Sequence, residues 1–329
     1  MSNFWAKLPK PFLVLAPMED VTDYVFREVI ADLARPDVFF TEFTSADGLF
    51  SKGREATIDK LKFSEKQTPV VAQIWGTNPE NMQKAAALVH ELGFAGVDIN
   101  MGCPDKTVMK KGAGGAHCLN KPLAKEIILA VREGAKDTAV SVKTRLGYKA
   151  PDPEWIPLLA SLPIDALTIH GRTAAQASTG EANWDEIGRL TKEIKTINPN
   201  ITVLGNGDIK SREQALTMHT LHQVDGIMIG RGIFSNPWVF EKETRNQMRP
   251  REEYIAVLHK HMDLYVETWG NTKNFEVMKK FFKMYINNFP GASQLRQELM
   301  FLKSASSVRE HLMTALSDDT FDILPHNEK

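Results

Sequence analysis

The chain has only two cysteines in 329 residues, so no disulfide framework is available to staple a small, loop-rich fold. It also lacks a long apolar run. The stretch 12–18 meets Glu19 and Asp20 at once, which is too short for a signal segment or a membrane span. Neither charge is in excess: 40 basic residues stand against 41 acidic ones. A near-neutral total neither announces nor excludes an anionic partner, because a local basic face can sit inside it. No internal repeat or low-complexity tract is present, which argues against a solenoid or a disordered array. No glycine-rich dinucleotide turn follows the first apolar segment, where the residues read APMEDVTD. The expected compartment is a reducing cytoplasm, with no membrane and no obligatory protein partner.

What is present is a packed globular composition, 43% hydrophobic. Eight short segments rich in β-branched residues recur: FLVLAP, VFFTEF, VVAQIW, GVDIN, VSVKTR, ALTIHG, TVLGNG and GIMIG. Between them lie amphipathic intervals such as 79–92, 123–133 and 184–197, each long enough to cross back to the next strand. This alternation predicts an α/β fold, a (β/α)8 TIM barrel over residues 1–242. A doubly wound sheet is the alternative, disfavoured by the missing glycine turn. After residue 240 the strand candidates stop, and a C-terminal helical domain is expected over 243–329, with a break at Pro290 and Gly291. Residues 241–310 hold twelve Lys or Arg against nine Asp or Glu. Lys279, Lys280 and Lys283 cluster there beside Phe281, Phe282 and Tyr285, which reads equally as a solvated face or a phosphate-binding patch. The acidic tail from Asp318 is expected to fray.

In a parallel barrel the chemistry sits where strands end, and the ends here are polar. They carry Ala16, Pro17 and Met18, then Gln73, then Asn100 and Cys103 in DINMGCP. Lys143 and Arg145 follow, then His170 and Arg172, then Asn206, Gly207 and Asp208, and finally Gly230 with Arg231. Any one could be a satisfied core polar group, and a lone cysteine is more often inert than reactive. Their agreement at seven ends favours a site. GNGDIKS and IGRGIFSNP supply glycines that let backbone N–H groups approach an anion, and Arg231 adds a fork of donors, so a phosphorylated ligand fits. Lys143 reads either as a Schiff-base amine or as a fixed positive charge beside an electron-rich ring; Gln73 and the thiol suit the second.

With APMEDVTDYVFRE, VVAQIWG, VDINMGCP, VSVKTRLG, LTIHGRT, GNGDI and IMIGRG in this order, the chain resembles the tRNA-dihydrouridine synthases along its whole length. The resemblance implies FMN at the barrel mouth, contacted by Ala16, Pro17, Met18, Gln73, Lys143, His170, Asn206, Gly207, Asp208, Gly230 and Arg231, with NADPH or NADH as reductant. It implies that Asn100, Lys143 and Arg145 approach a uracil of tRNA and that Cys103 is the catalytic acid. An ordinary thiol is mostly protonated at neutral pH, as a proton donor must be. Arg172 is a candidate for substrate contact, and Lys279, Lys280, Lys283 and Arg296 for tRNA phosphates.

The chain departs from the family's pattern at Asp20 and Asp105, where small residues are common, and at His117 and Cys118 in GAGGAHCL. No metal site is expected from that pair, since two ligands do not fill a zinc sphere. Two rival functions share these residues: an FMN-dependent dehydrogenase of a free pyrimidine or related metabolite, and a non-catalytic RNA-binding module. The helical tail weighs against the first, the Cys103, Lys143 and His170 set against the second.

Overall fold

A computed structural model describes residues 3–242, 249–270, 272–287 and 289–317. Nine strands form one parallel sheet: β1 Phe12–Leu15, β2 Phe39–Phe40, β3 Thr44–Ser45, β4 Val70–Trp75, β5 Gly96–Met101, β6 Ala139–Arg145, β7 Ala166–His170, β8 Thr202–Asn206 and β9 Gly226–Ile229. They run in the order β1-β9-β8-β7-β6-β5-β4-β2, with β3 also on β4. A bridge between Val14 and Val38 closes the ring, so the expected barrel is the observed one. Asp37 N–H donates to Leu13 and Leu15 N–H to Val38 across the same seam, at 2.9 and 3.1 Å. The expected second strand is split. Between β2 and β3, Thr41 turns its hydroxyl to accept the Gln73 N–H at 3.1 Å and donate to the Glu42 carbonyl at 2.8 Å.

The crossover helices begin where side chains satisfy the first free N–H groups. Asn78 caps Pro79–Glu91, Asn120 caps Lys121–Ala135 and Asn183 caps Trp184–Ile197; the first two also place proline in the opening turn, where its missing N–H costs nothing. Inside the barrel, alternation along each strand selects one row of residues. Phe12, Val14, Ala16, Phe40, Val71, Ala139, Ala166, Leu204 and Met228 form a buried apolar layer. Trp5, on the short helix Phe4–Lys7, completes it, with ring centroids 5.9 Å from Phe12 and 6.2 Å from Phe40.

The chain divides into two compact units, Met1–Gly232 with Val239–Glu241, and Ile233–Trp238 with Lys242–Lys329. The second is helical, built on Arg251–Trp269, Ala292–Leu299 and Ala305–Ser317, with Leu258, Met262, Met278, Met284, Leu295 and Leu312 buried. Phe281, Phe282 and Tyr285 are core here. They are not an exposed aromatic platform beside the lysines. The break at Pro290 is followed by Gly291 at φ 77°, the N-cap of Ala292–Leu299. Residue 243 and the tail from Asp318 lie outside the described residues. Among the described residues no helix is long and apolar enough to cross a membrane.

Candidate active site

The inward rows that start apolar end polar, because each strand is read two residues further toward its C-terminus. Val71 leads to Gln73, Gly96 to Asp98 and Asn100, Ala139 to Ser141, Lys143 and Arg145, Ala166 to Thr168 and His170, and Leu204 to Asn206. Register then sets these ends side by side. Gln73 pairs with Asp98, Asn100 with Lys143, Arg145 with His170, and His170 with Asn206. Ala16 N–H donates to the Ile229 carbonyl at 2.9 Å, bringing Ala16, Pro17 and Met18 beside Gly230.

Cys103 follows β5 and is half-buried. Its own N–H and that of Gly102 point at Asn100 Oδ1, at 2.9 and 3.2 Å, so the asparagine side chain shapes the turn that carries the thiol. Burial pushes the thiol above its ordinary pKa, outweighing the Asp105 N–H, Lys143 and Arg145, which favour the thiolate. The sulfur is therefore a protonated thiol at neutral pH. From outside, Gly115 N–H donates to the Cys103 carbonyl at 2.8 Å, and a Cβ on Gly114 would lie 2.8 Å from that oxygen. GAGGAHCL is thus the floor under the cysteine turn. His117 is buried between the Gly114 and Gly76 carbonyls, and Cys118 Sγ donates to the Gly115 carbonyl at 3.2 Å, burial raising its pKa to about 11. Both hold the floor.

Lys143 projects into the mouth, and its ammonium has no hydrogen-bond partner among the described residues. Burial, then the charge of Arg145, lowers its pKa to about 8. Arg145 is more committed. Nε donates to the Gly102 carbonyl at 2.8 Å, and Nη1 to the Thr173 carbonyl at 3.0 Å and the Ala177 carbonyl at 2.8 Å, which leaves Nη2 without a hydrogen bond among the described residues.

Arg172, the other arginine at these strand ends, is committed to partners within the protein. Its side chain is 2% exposed and its donors are engaged within the protein. Nη2 donates to Asp208 Oδ2 at 2.6 Å, Nε to the Gly180 carbonyl at 3.2 Å, and Nη1 to His170 Nε2 at 3.1 Å. An arginine can only donate, so His170 Nε2 accepts and its proton resides on Nδ1. Burial and the surrounding Lys143, Arg145, Arg172 and Arg231 hold that imidazole well below its usual pKa, hence neutral. Asp208, at φ 57°, also accepts the Ala182 N–H at 2.8 Å and lies 3.5 Å from Arg231. Burial opposes its charge, but the Arg172 and Ala182 hydrogen bonds keep its pKa below the usual carboxylate value.

The phosphate expectation can be tested on the backbone. Among the described residues, the N–H groups of Gly207, Asp208, Gly230 and Arg231 donate no hydrogen bond within the protein. A Cβ on Gly230 would meet Ala16 Cβ at 3.5 Å and Met18 Sδ at 3.7 Å, ordinary van der Waals contacts, so this backbone lies directly against the Ala16 and Met18 side chains. Arg231, 64% exposed, overhangs it, and Asn206 braces the turn by donating to the Met228 carbonyl at 2.8 Å. Free N–H groups and a cation fit a phosphate, and the partnerless Lys143 fits an anionic ring edge.

Sequence reasoning passed over Asp98, Ser141 and Glu42. Asp98 is fully buried, accepting from Gln73 Nε2 at 2.8 Å and Ser141 Oγ at 2.6 Å; burial raises its pKa to about 6. Its inward position two residues before Asn100 was the available signal. Glu42 accepts the Asp20 N–H at 2.6 Å, and burial with the nearby Glu19 raises it to about 7. Asp20 itself has φ 57°, a left-handed backbone that glycine adopts most readily. Asp105 caps the helix Lys106–Lys110 through the Thr107 and Val108 N–H groups. In the second unit, Lys279 is tied to the Met300 carbonyl at 2.6 Å and Glu276 at 2.7 Å, and Arg296 to the Ile286 carbonyl at 2.5 Å. Lys280 and Lys283 are exposed.

Compared with known proteins, residues 14–320 match the family model described as dihydrouridine synthase. The chain is 43% identical over 321 residues to a probable tRNA-dihydrouridine synthase 2 of Bacillus subtilis, covering 96% of each chain. It is 42% identical over 316 residues to a probable tRNA-dihydrouridine synthase of Staphylococcus epidermidis, covering 95% of this chain and 96% of that one. Among solved structures it is similar to morphinone reductase, with a TM-score of 0.52 at 12% identity over 75% of this chain and 90% of that one, a likeness of fold.

Proposed function

Because the chain belongs to the dihydrouridine synthase family, we propose that it reduces uridines of tRNA to 5,6-dihydrouridine, with FMN at the barrel mouth and NADPH or NADH as reductant. The observation that carries this reading is the protonated, half-buried Cys103 thiol at the end of β5, beside the Asn100 and Lys143 row. FMN, when bound, supplies the hydride that carbon 6 of the uracil receives. Gly207, Asp208, Gly230 and Arg231 hold its phosphate through free N–H groups and a guanidinium, with Asn206 bracing the turn. Gln73, His170 through Nδ1–H, and Lys143 would meet the ring, and Ala16, Pro17 and Met18 would offer it apolar contact.

Carbon 5 of the uracil then needs a proton, and Cys103 Sγ–H donates it. The remaining Arg145 Nη2 donors and one Asn100 amide hydrogen orient the pyrimidine carbonyls. A uridine must leave its stack to enter, at a cost on the order of a few kcal/mol. Lys280 and Lys283 supply backbone contacts that offset part of it.

In the test, Cys103→Ala is expected to keep flavin and nicotinamide-dependent flavin reduction while losing about 10²- to 10⁴-fold in dihydrouridine formation, the usual span of general-acid catalysis. Wild-type product formation by that variant overturns the acid role. Equal turnover of free uridine would transfer the reading to a metabolite dehydrogenase.

A further inference from the structure

Asp98 is a buried acid to which neither phosphate binding nor proton donation assigns a task. Its place becomes clear from the far end of a hydrogen-bond chain. The N–H groups of Gly102 and Cys103 are obligatory donors, and both point at Asn100 Oδ1. That fixes the Asn100 amide, so its nitrogen faces Gln73 Oε1 at 3.1 Å. Gln73 must then turn its own nitrogen to Asp98 Oδ2, at 2.8 Å. A carboxylate only accepts, and the Ser141 hydroxyl fills its other oxygen at 2.6 Å. Either amide alone could turn over with little change of shape. Anchored by obligatory donors at one end and an obligatory acceptor at the other, neither can turn without setting N–H against N–H.

We propose that Asp98 is a positioning residue for Cys103: acting through Gln73 and Asn100, it holds both amides in the one polarity that seats the Gly102 and Cys103 turn, and so aims the thiol at the barrel mouth. The catalytic consequence rests on the proton-donor reading above. The effect on the thiol itself does not.

Iodoacetamide alkylation of the full-length protein with excess FMN, mapped to each cysteine peptide, tests the chain directly. Asp98→Ala is expected to change the Cys103 rate by about threefold or more, with the buried Cys118 as the unchanged internal reference. Gln73→Met, which keeps the acid and breaks the chain in its middle, is expected to do the same and decides the matter if Asp98→Ala does not fold. Asp98→Asn can offer its oxygen to Gln73 and its nitrogen to the Ser141 oxygen, and is expected to recover most of the wild-type rate. An unchanged Cys103 rate in folded Asp98→Ala or Gln73→Met overturns the proposal. In single turnovers of pre-reduced enzyme, Asp98→Ala is expected to lose about tenfold or more in dihydrouridine formation at unchanged KM for tRNA. It should lose nothing further in a Cys103→Ala background. A full additional loss there shows that Asp98 acts elsewhere and overturns a role through Cys103. If Cys103→Ala by itself leaves product formation intact, the acid role falls, and alkylation still decides the positioning.

Discussion

Gly114→Ala is the substitution whose cost the structure states most directly. Gly114 has φ 59°, and a Cβ built there would lie 2.8 Å from the Cys103 carbonyl oxygen, 2.9 Å from Val108 Cγ1 and 3.2 Å from Cys103 Cβ. Two costs follow. The left-handed backbone disfavours alanine by about 1–2 kcal/mol, and forcing a methyl into filled space costs about 1–3 kcal/mol more. The expected total is about 2–5 kcal/mol. Gly93 isolates the first cost, since it has φ 78° and nothing within 4 Å of its would-be Cβ. Gly93→Ala should therefore lose only about 1–2 kcal/mol. Urea unfolding of both variants, followed by circular dichroism, gives the comparison. Product formation per bound flavin should fall only for Gly114→Ala, because the displaced atoms belong to Cys103. Equal midpoints for the two variants would refute the crowding argument, and an undisturbed product rate in Gly114→Ala would refute the view that this floor sets the thiol.

Gly230→Ala is expected to fold with wild-type stability, since its methyl meets only ordinary contacts at 3.5 and 3.7 Å, yet to lose flavin about tenfold more readily on gel filtration; wild-type flavin retention would move the phosphate elsewhere. Lys143 loses its proton as pH rises through about 8, so the step that uses its charge should decline above that pH. Stopped-flow rates of flavin reduction against pH should show the decline in wild type and not in Lys143→Arg, which stays charged. Lys283→Glu should weaken tRNA binding and lower the slope of log K against log salt by about 0.7–0.9 per lost contact. Lys279→Glu, whose native ammonium is already tied to Glu276 and Met300, should instead lower the melting temperature.

How far the sequence carried the reading differs from element to element. Capped amphipathic intervals and apolar strand segments are local signals, and they gave the barrel and its helices within a few residues. The second strand differs from its sequence expectation in one respect. VFFTEF has the composition of one strand, but the Thr41 hydroxyl bonds to β4 and to the Glu42 carbonyl, and the ladder breaks there. The plug formed by Trp5 has no local signal, because nothing within the first eight residues says which end of a barrel they will close.

At the candidate site, the strand-end rule picks out Gln73, Asn100, Lys143, Arg145, His170 and Asn206, and register sets them on adjacent strand ends, Asn100 beside Lys143 and His170 beside Arg145 and Asn206. Arg172 and Lys279 were beyond the rule. Charge and position along the chain describe what a side chain carries, whereas its use is set by which acceptor folding leaves within reach. Arg172 finds Asp208, 36 residues away, and His170; Lys279 finds a carbonyl 21 residues away.

The sequence by itself determined the barrel, the strand ends that would carry chemistry, the family, and the thiol at the end of β5. Strand alternation and cap residues act over a few positions, and family motifs are strings. Only the tertiary structure decided which acceptors engage Arg145 and Arg172, that His170 is neutral with its proton on Nδ1, and that Asp98 terminates a chain of amides leading to Cys103. The Asp98–Gln73–Asn100 chain and the Arg172–Asp208 pair depend on hydrogen bonds between residues 25 to 36 positions apart, whose partners exist only once neighbouring strands are in register.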